Sequence, residues 1–296
     1  MAAGSPVPDG WAVAVAIHPS GHLPDHPLTR TATVRSSDPR SLGPSSPILT
    51  ISPNDAMLVP GWTSHYHAQG ADALRMILQV MSAAGKDGVR SILDLPCGHG
   101  RVLRHIRARF PEARLTACDI DADGVEFCAK TFGATGIVSR KETSEVSIDD
   151  RFDLIWCGSL LTHLDRPAWQ AWLEFFSDHL LDGGVLIFTT HGRYSAKRLA
   201  EQPRSPWFYP GLDDAEVPLM LRRYSATGFA FAPTPGTPDY GISVSSPAWV
   251  VAEVSGHPHL KLLSFVEMGW VEHQDVVACL RQEDIFLASW DRRPEP

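Results

Sequence analysis

Between Arg90 and Thr190 short apolar runs alternate with stretches of helical period, and that alternation leaves few folds open. Ser91-Ile92-Leu93-Asp94-Leu95 reads as a buried strand, Pro96 to Gly100 as a glycine-containing turn, and Arg101 to Phe110 as a helix stopped by Pro111. Leu115 to Cys118 is a second strand. Asp121 N-caps a helix to Phe132, which Gly133 ends. Gly136 to Ser139 and Phe152 to Gly158 are the third and fourth strands. Pro167, behind Asp165, opens a helix to about Leu181, and Gly183-Gly184 leads into a fifth strand, Val185 to Thr190. Strands and helices in this order predict a parallel sheet with right-handed crossovers.

The flanks are less regular. Residues 1–60, rich in Pro, Ser, Gly and His, read as an arm with one β-prone run, Trp11 to Ile17; residues 61–296 read as the main domain. A helix over Ala71 to Ala84 precedes the first strand, with Tyr66, His65 and His67 just ahead of it as a possible closure over a ligand. Residues 193–247 break the rhythm and read as a lid-like insert, rich in Pro and in the rings of Trp207, Phe208, Tyr209, Tyr224, Phe229, Phe231 and Tyr240. Ser246 to Val254 follows as a helix. Leu260 to Met268 and Asp275 to Leu280 form a closing strand pair, which Asp284 to Trp290 extends or replaces.

Of the 296 residues 44% are hydrophobic, and the net charge of −8 disfavours nucleic acid and anionic membranes as main partners, since phosphate binding needs clustered Lys and Arg. Arg101, Arg104, Arg107 and Arg109 lie close together, and at helical spacing they read as a solvated face. Five cysteines, an odd number without CxxC pairs, fit reduced buried thiols. No apolar run approaches membrane-spanning length, and the expected location is cytoplasmic. No HxxxH or HxH pair flanks a carboxylate persuasively, so no metal is expected.

The turn after the first strand carries the chemistry. Gly98 and Gly100 let a ligand approach the backbone, the helix start offers free N–H groups, and Asp119 ends the second strand about 20 residues on, where an acid accepts ribose hydroxyls. A nicotinamide dinucleotide would want a third glycine or an alanine where this chain has Leu103. Asp94, at the end of the first strand, would sit badly beside a pyrophosphate and well beside a cationic amine.

Over about Ala71 to Gly192, and again in the closing strand pair, the chain resembles the class I S-adenosylmethionine-dependent methyltransferases. That resemblance implies a Rossmann-like doubly wound α/β sheet in the order 3-2-1-4-5-7-6, with one antiparallel C-terminal strand. It implies S-adenosylmethionine as cofactor, with Asp94 toward the methionyl amine, Gly98 and Gly100 as turn glycines and Asp119 on the ribose. Ile120 or Asp121 and Ser139-Arg140 are expected near the adenine, and Pro96 and Ser159 beside the ligand. Pro96 departs from the family, which places a glycine there. Ser159-Leu160-Leu161-Thr162-His163-Leu164, Thr189-Thr190-His191-Gly192 and the ending Gly269-Trp270 with His273 are similar to a bacterial subgroup found beside glycosyltransferases. The implied acceptor is a small molecule or a sugar, methylated on oxygen rather than nitrogen, and a homodimer is compatible with the reading.

His163 and His191 follow the fourth and fifth strands, where the ligand of such a sheet binds, and are the candidate bases for a hydroxyl acceptor. A histidine after a strand more often serves as a structural hydrogen-bonder; Glu267 and His273 are weaker candidates. Two other classes stay open: a nicotinamide-dependent oxidoreductase, and a cofactor-binding scaffold without turnover.

Overall fold

The computed structural model describes residues 46–201 and 212–283. Trp11 to Ile17, Trp207 to Tyr209 and Asp284 to Trp290 lie outside the described residues. In chain order the elements are α1 (Thr63–Ala83), β1 (Ser91–Asp94), α2 (Leu103–Arg109), β2 (Arg114–Asp119), α3 (Ala122–Phe132), β3 (Thr135–Val138), β4 (Phe152–Cys157), α4 (Arg166–Asp178), β5 (Leu180–Thr190), α5 (Arg193–Ala200), α6 (Glu216–Thr227), β6 (Phe229–Thr234), β7 (Thr237–Ser245), α7 (Pro247–Ser255), β8 (Leu260–Trp270) and β9 (Gln274–Arg281).

The seven-stranded sheet runs β3-β2-β1-β4-β5-β9-β8. β1 to β5 are parallel, whereas β9 lies antiparallel to both β5 and β8. This is the expected order, with β8 and β9 as the sixth and seventh strands. Strand residues alternate between two cores, as the two-residue period of a pleated strand requires. Ile92, Leu154, Trp156, Val185, Ile187 and Ala278 face α1, α2 and α3 on one side. Leu93, Ile155, Cys157, Leu186, Phe188 and Val277 face α4 and α7 on the other. Capping follows the sequence. The Asp121 carboxylate accepts from the Asp123 N–H, Asp165 accepts from the Ala168 N–H, and Gly133 closes α3 in the left-handed conformation. All five cysteines are buried free thiols. Among the described residues no helix is long and apolar enough to cross a membrane.

Two expectations are corrected. The arginines of α2 do not form a solvated face. Arg104 is fully buried. Its guanidinium donates to the carbonyls of Ile48 (3.0 Å), Thr50 (2.7 Å), His99 (3.3 Å) and Gly100 (3.0 Å) and to the Tyr66 hydroxyl (3.2 Å). Arg107 likewise donates to the carbonyls of Phe132, Pro111 and Ala113. The rigid fork of five donors suits arginine to collecting carbonyls that helix and strand leave unpaired. Tyr66, a candidate either for closure over a ligand or for the surface, is buried instead, and its hydroxyl donates to Asp55 at 2.6 Å. Arg104, Tyr66 and Asp55 thus bind the segment before α1 to the domain.

The insert carries more regular structure than its sequence suggests. α5, α6 and the antiparallel β6–β7 hairpin enclose a small core of Leu199, Leu212, Val217, Met220, Ala230, Ala232, Ile242 and Val244.

Replacing Arg104 with alanine strands several buried acceptors at once. Arg104→Ala is expected to cost about 3–5 kcal/mol of unfolding free energy, read from urea denaturation. A loss below about 1 kcal/mol, the size of one ordinary hydrogen bond, would show that the network does not hold the segment.

Candidate active site

The carboxyl ends of β1, β2 and β4 open into a cavity of about 770 Å3. It lies where the chain reverses direction across the sheet, the position at which doubly wound sheets bind ligands. Of the residues singled out from sequence, Asp94, Pro96, Gly98, Asp119, Ile120, Ser139, Ser159 and His163 line it. Gly100 and His191 do not. Asn54, Asp55, Ala56 and Met57 contribute a wall from the segment that Arg104 secures.

The loop after β1 is shaped from both sides. Gly98 has φ 49° and Gly100 φ 76°, a region that costs a non-glycine residue roughly 1–2 kcal/mol. A Cβ on Gly100 would run into the Phe132 ring and lie 3.1 Å from Cys128 Sγ, whereas a Cβ on Gly98 would meet only open space. Gly100 therefore serves packing and Gly98 serves access. Asp119 fixes the loop: its carboxylate accepts from the Gly98 N–H at 2.7 Å and from the Asp121 N–H at 3.0 Å. Burial raises its pKa in spite of those bonds. Ser139 is tied in through its N–H, which donates to the Asp119 carbonyl at 2.8 Å.

Asp94 differs from every other acid in the cavity. It is buried, and neither carboxylate oxygen has a hydrogen-bond partner among the described residues. Burial, reinforced by the Asp119 carboxylate, pushes it well above the usual carboxylate range, against the pull of Arg101. Arg101 lines the same cavity, donates to Gln69 Oε1 at 2.5 Å, and lies 5.6 Å over the Trp270 ring.

Beyond β4, Ser159 has φ 63°. Its N–H donates to Thr189 Oγ1 at 2.8 Å, and Gln274 Nε2 donates to its hydroxyl at 2.8 Å. His163 is buried on the cavity wall, donating through Nδ1 to the Gly241 carbonyl at 2.8 Å. Burial holds its imidazole down at about 4, so it is neutral near pH 7. His191 lies behind it, with ring centroids 6.1 Å apart, and donates to the Ser243 carbonyl at 3.2 Å. Its pKa is lowered further, by burial and then by His273 and His163.

Tyr240, named from sequence only as one ring of the insert, comes from β7, lines the cavity and stacks on His163 with centroids 4.8 Å apart and planes within 11°. The other described rings of the insert do not line the cavity. Phe229 stacks on Trp249 and Tyr224 packs on the core of the insert. The pattern Gly241-x-Ser243-x-Ser245, set against buried Tyr240, Ile242 and Val244, is the signal that a two-sided buried strand runs here.

Residues 93–186 match the model of a methyltransferase domain family. Malonyl-[acyl-carrier protein] O-methyltransferase of Halalkalibacterium halodurans is 26% identical over 140 residues, 44% of this chain and 49% of the relative. Trans-aconitate 2-methyltransferase of Streptomyces avermitilis is 30% identical over 154 residues, covering 47% and 54%. Ribosomal RNA small subunit methyltransferase C of Klebsiella pneumoniae is 33% identical over 102 residues, covering 32% and 29%. The chain thus spans about half the length of these relatives or less. Among solved structures, an S-adenosylmethionine-dependent methyltransferase from Clostridium acetobutylicum superposes with a TM-score of 0.50 at 14% identity, covering 74% of this chain and 92% of that one, a likeness of fold. Its strand order, its acid-and-glycine loop and the match over residues 93–186 make the chain similar to the class I S-adenosylmethionine-dependent methyltransferases.

Proposed function

We propose that this chain is an enzyme that transfers the methyl group of S-adenosylmethionine to a hydroxyl of a small-molecule acceptor. The observation that carries the reading is Asp94, a buried carboxylate without a partner on the wall of a large cavity. Such a group is costly unless a cation meets it. The methionyl ammonium is a cation of the right kind, while the pyrophosphate of a nicotinamide dinucleotide would set like charge against like. The same residues fit the rest of the cofactor. The open side of Gly98 admits close backbone approach, Asp119 is the acid for the ribose, and Ile120 and Ser139 flank the adenine end.

The bound cofactor supplies a methyl group already activated by its sulfonium. The protein's own part is alignment and proton removal. A neutral His163 on the cavity wall suits the second task, and His191, set behind it, suits a structural role. The likeness of the segment Ser159 to Leu164 to a subgroup beside glycosyltransferases makes sugar hydroxyls the first acceptors to try. RNA is the competing class, since one relative is a ribosomal RNA methyltransferase, and the net charge of −8 speaks against it.

Three outcomes test the reading. Calorimetry is expected to show binding of S-adenosylmethionine and S-adenosylhomocysteine and none of NADH, with Asp94→Asn weakening the former about 10- to 150-fold, the worth of a charge-assisted hydrogen bond. Binding of NADH alone would overturn the assignment.

The second outcome is a pH dependence. The raised pKa of Asp94 means that the folded chain holds this proton more tightly than the unfolded chain. Stability of the ligand-free protein therefore falls as pH rises through that raised value, while the thermal stabilisation given by S-adenosylmethionine grows over the same window. Asp94→Asn should flatten both curves in a thermal-shift series; an unaltered pair of curves would remove Asp94 from the site.

Third, on any acceptor that turns over, His163→Ala should lower kcat by roughly 10²–10⁴ with S-adenosylhomocysteine affinity kept. His191→Ala should chiefly lower the melting temperature. Normal turnover in His163→Ala would mean that the acceptor needs no base from this histidine.

A further inference from the structure

β7 pairs with β6 along one edge. Along its other edge the carboxyl ends of β4 and β5 present side chains and carbonyls in place of a neighbouring strand. The Gly241 carbonyl accepts from His163 Nδ1 at 2.8 Å, and the Ser243 carbonyl, two residues on, accepts from His191 Nδ1 at 3.2 Å. Between them the Ser243 hydroxyl donates to the Leu161 carbonyl at 2.8 Å, and the Ser245 N–H donates to the His191 carbonyl at 2.8 Å. The register is held on the far side as well, because a Cβ on Gly241 would collide with the Ala232 carbonyl and Pro233 of β6.

This ladder has a chemical consequence at the cavity. A carbonyl oxygen can only accept, so the nitrogen facing Gly241 carries the proton. In a neutral imidazole the other nitrogen then bears the lone pair. At Nε2 His163 makes no hydrogen bond among the described residues, and the ring lines the cavity. Tyr240, flat against that ring, opposes rotation about the Cβ–Cγ bond, a turn that would carry Nδ1 away from the Gly241 carbonyl and release the tautomer it sets.

We infer that β7 of the insert sets the tautomer of His163 through the Gly241 carbonyl, with Tyr240 as the positioning residue, and that the acceptor is consequently a proton-bearing group such as a hydroxyl rather than a carboxylate. The inference rests on the methyltransferase reading above for its cavity ligand. A lone pair at Nε2 attracts an O–H and repels an ionised carboxylate, so the strand selects the acceptor class as well as arming the base. In the transfer itself the hydroxyl oxygen forms the bond to the methyl carbon, the sulfur keeps the electron pair of the broken S–C bond, and the hydroxyl proton passes to Nε2.

The test needs no acceptor. Full-length protein labelled with ¹⁵N-histidine is examined by two-bond ring correlation NMR near pH 7, the His163 signals being assigned by their absence in His163→Gln. The expected spectrum has His163 protonated at Nδ1 and bare at Nε2. Tyr240→Phe keeps that pattern, and Tyr240→Leu shows the second tautomer. A wild-type ring protonated at Nε2, or a Tyr240→Leu protein that retains the pure Nδ1–H pattern, overturns the inference. Should Tyr240→Leu not fold, Ser243→Ala, which cuts the Leu161 tether, takes its place with the same expectation. Full turnover by His163→Gln alongside the expected tautomer would sink the role of His163 as base and leave the positioning by β7 standing, so the two failures are distinct.

Discussion

The carboxylate of Asp119 makes the contact on which the rest of the site depends. By accepting the N–H groups of Gly98 and Asp121 it ties the loop after β1 to the start of α3. The loop can then be thin where a ligand approaches and tight where it packs. Gly98 faces open space, Gly100 abuts Phe132, and a side chain on Gly124 would strike the Gly98 carbonyl. Three glycines thus do two different jobs, and only the first requires a ligand. With the loop fixed, Asp94 is left at the end of β1 without a hydrogen-bond partner among the described residues.

Two other parts of the chain complete the cavity, each attached by a different device. The segment before α1 is drawn in by Arg104, whose guanidinium collects carbonyls from Ile48 and Thr50 on one side and from His99 and Gly100 on the other. The insert is attached through β7 and the two histidines. In both cases side-chain N–H donors stand in for missing backbone partners, which is how buried irregular chain meets its hydrogen-bonding requirement. Asn54 reinforces the first attachment, donating to Asp123 at 3.1 Å, beside His99 Nε2 at 2.8 Å from the same oxygen.

What could be read from sequence follows from the range of the interactions concerned. The succession of strands and helices came from alternation and from caps, which are local, whereas the order of the strands was what the resemblance implied: Ile92 and Leu93 point to opposite cores, and Asp121 and Gly133 bracket α3 within a few residues. Asp94, Gly98 and Asp119 were legible because the loop and the end of the next strand recur at a fixed spacing. Arg104 was misread because its partners at Ile48 and Thr50 are more than fifty residues away, and helical spacing cannot distinguish a solvated guanidinium from one that caps distant carbonyls. The insert hid its order for another reason. β7 is buried on both faces and filled on one of them by Gly and Ser, so neither a clean alternation nor an apolar run marks it. His163 and His191 looked equivalent in sequence, and only the third dimension places one on the cavity and the other behind it.

The two acids also set the balance between stability and function. Asp94 and Asp119 are both buried at adjacent strand ends, and the Asp119 carboxylate raises the cost of ionising Asp94. The fold tolerates this because the sheet behind them is sealed on both faces by apolar cores, with Leu93 and Ile92 fully buried immediately before Asp94. Arg101, itself engaged with Gln69, offsets the charge only in part. A ligand that brings a cation to Asp94 therefore lowers the free energy of the folded chain as well as filling the cavity, and binding and folding are linked through one carboxylate. An internal hydrogen-bond partner, which Asp94 lacks among the described residues, would stabilise the ligand-free chain and reduce what an entering cation gains there.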